Sequence, residues 1–282
     1  MSSMPLTIHA ADGTWLQARL YEPVQAPRRA VLLTNAMGVP QRFYEAFAGW
    51  LAGQGLAVLT FDWRGTGESR PRHLRGYRAS LTDWATKDLP AVVDAFCARW
   101  PAVPRTYVGH SLGGQLFGWL ALPERFERVV TVASGNGYWR LNAPAVRRRS
   151  PWLWWAIAPL GIALAGYFPG KRLGAVGDLP AAVMWQWRRW CLHPDYLGVE
   201  GDAVRSRYAQ VSVPMTVVLF DDDELISPEG VRHLYHLYAQ APLRFEHLYP
   251  AREGWPQIGH FGLFKSRSAS ILWPRMLHWI ES

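Results

Sequence analysis

The sequence contains few of the residues that build cross-linked or metal-stabilised scaffolds. Its 282 residues include only two cysteines, Cys97 and Cys191, which lie far apart and form no C-x-x-C pair. They therefore exclude a disulfide framework and a cysteine-based zinc site. We interpret them as reduced thiols of a cytosolic protein. Only three of the 30 basic residues are lysines, so arginine carries almost all of the positive charge.

Segments that direct a chain into or across a membrane are also scarce. Residues 1–10 have neither the basic start nor the apolar run of a signal peptide, which predicts a cytoplasmic protein. The one membrane candidate, residues 151–168, carries no charge, but it is at the short edge of what spans a bilayer, and Pro159 and glycines interrupt it. We expect it to form a pair of short helices, either buried or lying at the surface.

The overall composition is that of a folded domain. Hydrophobic residues make up 49% of the chain and charged residues 18%, a balance that excludes a largely disordered protein. The length fits one large α/β domain or two small ones.

Strand-like and helix-like segments alternate along most of the chain. Strand patterns occupy residues 6–10, 15–22, 30–34, 56–61, 105–108, 128–133, 214–220 and 243–249. Helical patterns occupy residues 41–53, 81–100, 112–122, 228–238 and 264–280. This alternation predicts an α/β fold with a mostly parallel central sheet of about eight strands and helices on both faces. Asp12-Gly13, between the first two strands, predicts a hairpin turn.

The alternation stops between the sixth and seventh strands, where the composition also changes. Residues 134–194 contain eight basic residues, one acidic residue and seven of the 16 tryptophans. They therefore carry nearly all of the chain's net charge of +8. We interpret residues 135–211 as a helical lid inserted into a nearly neutral core domain formed by residues 1–134 and 212–282.

A candidate nucleophile lies at a predicted strand-to-helix junction. Residues 109–114 read G-H-S-L-G-G and contain the G-x-S-x-G pattern around Ser111. In such a sharp turn the serine hydroxyl projects above the sheet, and the crowded backbone requires glycine at positions 109 and 113. We expect the neighbouring His110 to pack against nearby loops and to have no chemical role.

A serine nucleophile needs a histidine base that is held by a carboxylate. Of nine histidines, His260 follows the last predicted strand with a glycine close on each side, which favours a loop that reaches Ser111. The acid should follow the strand at 214–220, where four acidic residues occur in succession. Asp223 is our first choice and Asp222 the alternative, with Glu224 as the remaining contender.

Two backbone amides are predicted to form the oxyanion hole. One belongs to Leu112, directly after the nucleophile, and the other to Met37 in the loop after the 30–34 strand, with Ala36 as the alternative. The glycine-rich residues 62–69 lack the spacing and lysine of a phosphate-binding loop. We interpret them as a structural turn in which Asp62 and Arg64 bond loop backbone.

These motifs resemble the α/β-hydrolase superfamily over essentially the whole chain. They are most similar to a group of bacterial predicted α/β hydrolases whose sheet domain is serine-aminopeptidase-like. The shared elements are A-x-G-V-P-Q-x-x-Y at residues 36–44, F-D-x-R-G-x-G-x-S at 61–69, G-H-S-x-G-G at 109–114, three insert motifs within 168–191, D-D-E at 222–224 and G-H-F-G-x-F at 259–264. The resemblance implies a Ser–Asp–His hydrolase with a lid. The sequence departs from that group at Met37, where a small residue is expected.

The predicted function is hydrolysis of a carboxylic ester with an apolar acyl or aromatic group. Lid tryptophans are expected to bind that group, and we select Trp139, Trp155, Trp185 and Trp187. Thioester hydrolysis, acyl transfer and amide cleavage would use the same triad. A catalytically idle fold that acts as a membrane-associated or interaction module is the alternative of another class.

The arginines of the lid have three interpretations. They are solvated or internally paired side chains, or they contact an anionic membrane surface such as the inner membrane, or they attract anionic substrates. Nucleic-acid binding is not expected, because no nucleic-acid-binding motif accompanies the arginines. The sequence implies no cofactor and no metal.

Overall fold

A computed structural model describes residues 3–282 of the chain. Met1 and Ser2, the first residues of the predicted core domain, lie outside the described residues. The strands are β1 (Met4–His9), β2 (Trp15–Tyr21), β3 (Arg29–Thr34), β4 (Leu56–Phe61), β5 (Arg105–His110), β6 (Arg128–Val132), β7 (Met215–Phe220) and β8 (Leu243–Leu248). The helices are α1 (Glu45–Gly53), α2 (Leu81–Asp83), α3 (Leu89–Arg99), α4 (Leu112–Gln115), α5 (Pro144–Trp152), α6 (Ala158–Ala165), α7 (Ala181–Cys191), α8 (Asp202–Gln210), α9 (Pro228–Tyr235) and α10 (Leu272–Glu281).

One eight-stranded sheet organises the molecule, with strand order β1-β2-β4-β3-β5-β6-β7-β8. β1 and β2 pair antiparallel, β2 is antiparallel to β4, and all later neighbours are parallel. The predicted α/β-hydrolase fold class is confirmed, including helices inserted between β6 and β7. The hairpin turn is confirmed too, because Gly13 adopts a φ of 79° between β1 and β2.

Helices cover both faces of the sheet because its central strands are apolar on both sides. Every residue of β4 is buried. Helices α1 and α10 pack on one face through side chains such as Phe47 and Trp273. Helices α3, α8 and α9 contribute to the core on the other face, together with several lid residues.

Several predicted helices are shorter in the structure, and two of them differ most. The pattern at 112–122 forms α4 followed by a 3₁₀ turn at Leu116–Trp119, and Tyr208 Oη donates to the carbonyl of Gln115 over 2.6 Å. The pattern at 264–280 begins as a helix only at Leu272. Before it, Ser268 Oγ donates to the Gly262 carbonyl over 2.7 Å, and such side-chain bonds favour turns over a helix.

The uncharged run at 151–168 forms two short helical segments. Helix α5 continues through a π-helical turn, Leu153–Ile157, into α6. Pro159 supplies no amide hydrogen at the start of α6, and a proline of this kind favours such an irregular turn. Among residues 3–282, no helix combines the length and apolarity needed to cross a bilayer. The assignment of residues 135–211 to a separate lid stays a prediction, although α5–α8 all fall within it.

The glycine-rich segment at 62–69 is a structural turn. The Asp62 carboxylate accepts from the backbone amides of Gln41 and Glu68, each over 2.8 Å. Arg64 behaves differently from the expectation, because its side chain binds the carboxylates of Asp88 and Asp12 rather than loop backbone. This turn contacts the loop after β3, because Trp63 Nε1 donates to the Asn35 carbonyl over 3.4 Å.

Candidate active site

Ser111 occupies a strained turn between β5 and α4. Its φ is 50° and its ψ −117°, a conformation that costs a non-glycine residue about 1–3 kcal/mol. Two hydrogen bonds hold it there: its amide donates to the Val132 carbonyl over 2.9 Å, and its carbonyl accepts from Ser134 Oγ over 2.8 Å. The surrounding fold therefore fixes the turn and leaves the Ser111 side chain at the wall of a cavity.

Glycines flank Ser111 because the backbone is too crowded for a side chain. A Cβ at Gly113 would lie 2.5 Å from the Thr34 carbonyl oxygen, and a Cβ at Gly109 would overlap Gly114 Cα. The predicted requirement for glycine thus has a direct steric cause at each position: β3 crowds Gly113, and the start of α4 crowds Gly109.

His260 and Asp223 meet in the interior beside this elbow. His260 Nδ1 lies 2.8 Å from Asp223 Oδ2, and both side chains are buried. The other carboxylate oxygen of Asp223 accepts from the backbone amides of Leu225 and Ile226 over 2.7 and 2.9 Å. A carboxylate held by two amides directs the Nδ1–H tautomer of the histidine, which leaves Nε2 as an acceptor. His260 lines the same cavity as Ser111.

The neighbouring acids bind the backbone of the histidine loop instead of the imidazole ring. Asp222 accepts from the amides of Ile258 and Gly259 over 2.8 and 3.2 Å. Glu224 Oε2 accepts from the His260 amide over 2.9 Å. Three consecutive acids therefore have separate tasks, and of the three contenders Asp223 alone contacts the ring.

The loop after β3 and the start of α4 bring two free amides to the cavity. Met37 and Leu112 both line the cavity with Ser111. Within residues 3–282, neither amide is paired with a protein acceptor. Gly38 has a φ of 67°, and a Cβ there would lie 2.7 Å from the Gly177 amide nitrogen. The loop thus reaches the cavity while packing directly against the predicted lid.

A buried chain of hydrogen bonds links this loop to the histidine loop, and the sequence did not predict it. The Ala36 amide donates to Tyr44 Oη over 3.0 Å, and Tyr44 Oη lies 2.7 Å from His110 Nδ1. His110 Nε2 lies 2.9 Å from the His260 carbonyl oxygen.

The tautomer of His110 follows from these partners. Burial lowers the pKa of His110 and raises that of Tyr44, so both side chains are neutral. A carbonyl only accepts, so His110 Nε2 donates to His260, and Nδ1 accepts from Tyr44 Oη. His110 therefore does more than pack against neighbouring loops, although it lies beneath the site rather than in the cavity.

The cavity above Ser111 has a volume of about 510 Å³ and a mostly apolar wall. Its inner surface comes from the elbow, the 36–39 loop, the loop after β7, the histidine loop and the predicted lid. The lid residues that line it include Val146, Arg149, Leu153, Trp154, Val176 and Trp187. Such a space suits an acyl chain or an aromatic group of moderate size.

Of the four tryptophans predicted to bind substrate, only Trp187 lines this cavity. Trp155 and Trp185 are 55% and 40% exposed, and Trp139 packs against Trp155 with ring centroids 6.2 Å apart. Positions 185 and 187 differ by about 200° around a helix, so they cannot both face inward. Trp154 lines the cavity in place of its neighbour Trp155, because the continuous helical segment from α5 to α6 buries residues 150, 154 and 158.

Several lid arginines are engaged inside the protein. Arg188 Nε donates to the Trp154 carbonyl over 2.6 Å, and Arg189 pairs with Glu200. Arg140 lies over the Trp139 ring at 5.1 Å. These arginines fit the interpretation as internally paired side chains, whereas Arg147 and Arg148 are exposed. Within residues 3–282, no group of three or more histidine, cysteine or acidic residues is arranged to hold a metal.

Comparison with known proteins relates part of this chain to a family. The model of the family described as serine aminopeptidase, S33 matches residues 25–162, which include the 36–39 loop and Ser111 but not Asp223 or His260. The chain has the α/β-hydrolase fold, and its residues 25–162 resemble this family. Within this α/β hydrolase, the matched half holds the nucleophile and the unmatched half holds the acid and the base.

Individual relatives match over limited segments. Human monoglyceride lipase is 30% identical over 108 residues, 38% of this chain and 34% of that protein. The putative carbamate hydrolase RutD of Variovorax paradoxus (strain S110) is 35% identical over 123 residues, 43% of each chain. The matched segments thus span less than half the length of these curated relatives. A soluble variant of Saccharomyces cerevisiae monoglyceride lipase, solved with a substrate analog, has a TM-score of 0.69 at 17% identity over 100% of this chain and 95% of that chain, which shows the shared fold.

Proposed function

We propose that this α/β hydrolase is a serine hydrolase that cleaves a carboxylic ester bearing an apolar acyl or aromatic group. The observation that carries the proposal is the hydrogen bond from buried His260 to Asp223 at the wall of the apolar cavity that also exposes Ser111. The similarity to monoglyceride lipases supports an ester as the substrate.

The geometry supports the following reaction. His260 Nε2 takes the Ser111 hydroxyl proton as the oxygen attacks the ester carbonyl, and Asp223 stabilises the imidazolium that forms. The amides of Leu112 and Met37 donate to the developing oxyanion. His260 then returns the proton to the departing alcohol, leaving an acyl-enzyme. Water attacks that ester by the same route and releases the acid.

We propose that residues 135–211 act as the lid that selects the acyl group. Support comes from Leu153, Trp154 and Trp187, which line the cavity above Ser111. Apolar side chains in this place would shield the reacting ester from water. The lid side chains named here bind substrate in this proposal in place of Trp139, Trp155 and Trp185. The other predicted partner is an anionic membrane surface. It would contact the face of the same helices that points away from the cavity.

The dependence of kcat/KM on acyl length tests whether the lid binds the acyl group. With p-nitrophenyl esters, kcat/KM is expected to be higher for hexanoate than for acetate, because the longer chain buries more apolar surface in the cavity. Leu153→Trp, which fills the cavity, should reduce kcat/KM for hexanoate by about 10-fold or more and affect acetate much less.

Leu160→Trp is the matched control, because Leu160 lies on the same helical segment but is 62% exposed. It should leave both rates near those of the unmodified protein. A preference for acetate, or equal effects of the two tryptophan substitutions, would count against an acyl-binding lid.

The Tyr44–His110 chain predicts a positioning effect on catalysis. Tyr44→Phe removes the acceptor of the Ala36 amide and the donor to His110, so both loops that carry site groups lose a common anchor. We expect kcat to fall by about 10-fold, since small displacements of catalytic groups are costly, while KM changes little.

Tyr208→Phe is the control for this effect. Tyr208 is equally buried, and its substitution removes one hydrogen bond, from its hydroxyl to the Gln115 carbonyl, whereas Tyr44→Phe removes two. Both variants should lose unfolding free energy in urea titrations, about 1 kcal/mol for each hydrogen bond removed. Similar kcat values for the two variants would show that the chain contributes to stability alone.

A further inference from the structure

The outer face of the lid carries a row of exposed apolar side chains. Along α5 and α6, Trp152, Leu160 and Leu164 are 71%, 62% and 79% exposed, and Trp155 lies beside them. The opposite face of the same helices, at Ser150, Trp154, Ala158 and Ile162, is buried. We name the exposed row, residues 152, 155, 160 and 164, the outer stripe.

The arrangement is unusual because both faces of one helical segment are apolar. Leu153 and Trp154 already use the inner face to close the cavity above Ser111. The outer stripe therefore is not a displaced part of the core. A contiguous row of large apolar side chains on a surface helix is typical of a binding surface.

A second cavity, separate from the one above Ser111, adjoins the end of the outer stripe. It is an open depression of about 810 Å³ whose apolar lining includes Leu164, Tyr167 and Leu173. Basic side chains surround it: Arg70, Arg72, His73, Arg75 and Arg172. We name it the basic depression.

Two arginines of the basic depression hold its walls, and two are available to a ligand. Arg70 pairs with Asp178 over 2.8 Å, and Arg75 donates to the Leu164 carbonyl over 3.1 Å. Arg72 and Arg172 are exposed, and no carboxylate of residues 3–282 lies within ion-pair distance of either. Their guanidinium groups match the oxygens of a phosphate.

We propose that the outer stripe and the basic depression together dock on an anionic phospholipid bilayer. The stripe enters the boundary between headgroups and acyl chains, and Arg72 and Arg172 bind lipid phosphates. Two features favour a bilayer over a protein partner. Tryptophan and leucine share the stripe, and cations lie at both ends of it, with Arg147 and Arg148 at one end and the basic depression at the other.

Docking in this orientation has a consequence for the site. Helices α5 and α6 would lie between the bilayer and the cavity above Ser111, with the outer face in lipid and the inner face over the nucleophile. The proposal goes beyond ester hydrolysis and does not depend on it. The Ser111→Ala variant is therefore expected to bind vesicles as the unmodified protein does.

Vesicle flotation tests the proposal. The full-length protein should float with phosphatidylcholine vesicles that contain phosphatidylglycerol at low salt, bind phosphatidylcholine vesicles at least about 10-fold more weakly, and dissociate as salt rises. Replacing Trp152, Leu160 and Leu164 together by serine should abolish flotation. Val24→Ser/Leu122→Ser, which also removes exposed apolar side chains, should leave it intact.

The contribution of the basic depression is measured separately. Arg72→Glu/Arg172→Glu should weaken binding to the anionic vesicles by about 10-fold or more. Arg232→Glu/Arg252→Glu, which makes the same change in net charge at exposed positions elsewhere, should weaken it much less. Thermal unfolding and circular dichroism establish that each variant is folded, and the sites are exposed, so no loss of fold is expected.

Three results would overturn the proposal. They are no flotation with anionic vesicles at low salt, unchanged flotation of the triple serine variant, and equal weakening by the two pairs of charge reversals. Light scattering tests whether a second copy of the chain binds the outer stripe instead. If the unmodified protein is a dimer that does not bind vesicles, and the triple serine variant is a monomer, the outer stripe is a dimer interface.

Discussion

Replacing Ser111 by alanine is expected to reduce ester hydrolysis by about 10⁴-fold or more and to abolish labelling by a fluorophosphonate probe. The hydroxyl is the group that attacks the carbonyl in the proposed reaction, and among residues 3–282 the other serine at the wall of the cavity is Ser150 on the lid. Alanine keeps the Cβ of Ser111 and the hydrogen bonds of its backbone, so the strained turn should persist. Intact-protein mass spectrometry measures the adduct, and p-nitrophenyl hexanoate measures the rate.

Ser69→Ala is the control for a change of a buried serine hydroxyl. Ser69 Oγ donates to the Asp62 carbonyl over 2.7 Å within the structural turn at 62–69. This variant should lose some stability but keep full labelling. If the folded protein with its original sequence forms no adduct on Ser111, the hydrolase proposal is wrong and the catalytically idle module is favoured.

Replacing Asp223 by asparagine is expected to lower kcat by about 10⁴-fold. The backbone amides of Leu225 and Ile226 would keep the oxygen of the new side-chain amide on their side. Its NH₂ group would then face His260 Nδ1 and stabilise the tautomer with the proton on Nε2. That tautomer cannot accept the proton of Ser111, so the base is lost while the geometry is kept.

Asp222→Asn is the matched control, one residue away. Asp222 contacts only the amides of Ile258 and Gly259, and the asparagine oxygen still accepts from one of them. We expect kcat to fall by less than about 10-fold, as for a lost positioning bond. Equal losses for the two variants, or a larger loss for Asp222→Asn, would assign the triad acid differently.

Much of the fold was predictable because local patterns record it. The continuous apolar runs at β3 and β4 reflect burial on both faces of a parallel sheet, and Asp12-Gly13 supplies the positive φ of the hairpin. The helix ends were less predictable. The late start of α10 depends on Ser268, whose hydroxyl meets the Gly262 carbonyl only in the folded chain.

The candidate site likewise has parts that the sequence predicts and parts that only the structure shows. The position of Ser111 follows from glycines that the crowded elbow requires, and His260 is marked by the glycines of its loop. The choice among Asp222, Asp223 and Glu224 needed the structure, since one residue of register decides whether a carboxylate faces the ring or the backbone. His110 shows the limit most clearly: its partners, Tyr44 and the His260 carbonyl, are 66 and 150 residues away.

The sequence by itself determined the order of strands and helices, the strained elbow at Ser111 and the concentration of arginine and tryptophan between β6 and β7. These depend on hydrophobic periodicity, on backbone sterics and on composition, all of which act locally. Only the tertiary structure decided which tryptophan faces the cavity, which acid holds His260 and which arginines are already paired. Those outcomes depend on contacts between distant segments, and on a π-helical turn that changes which face of α5 and α6 meets the core.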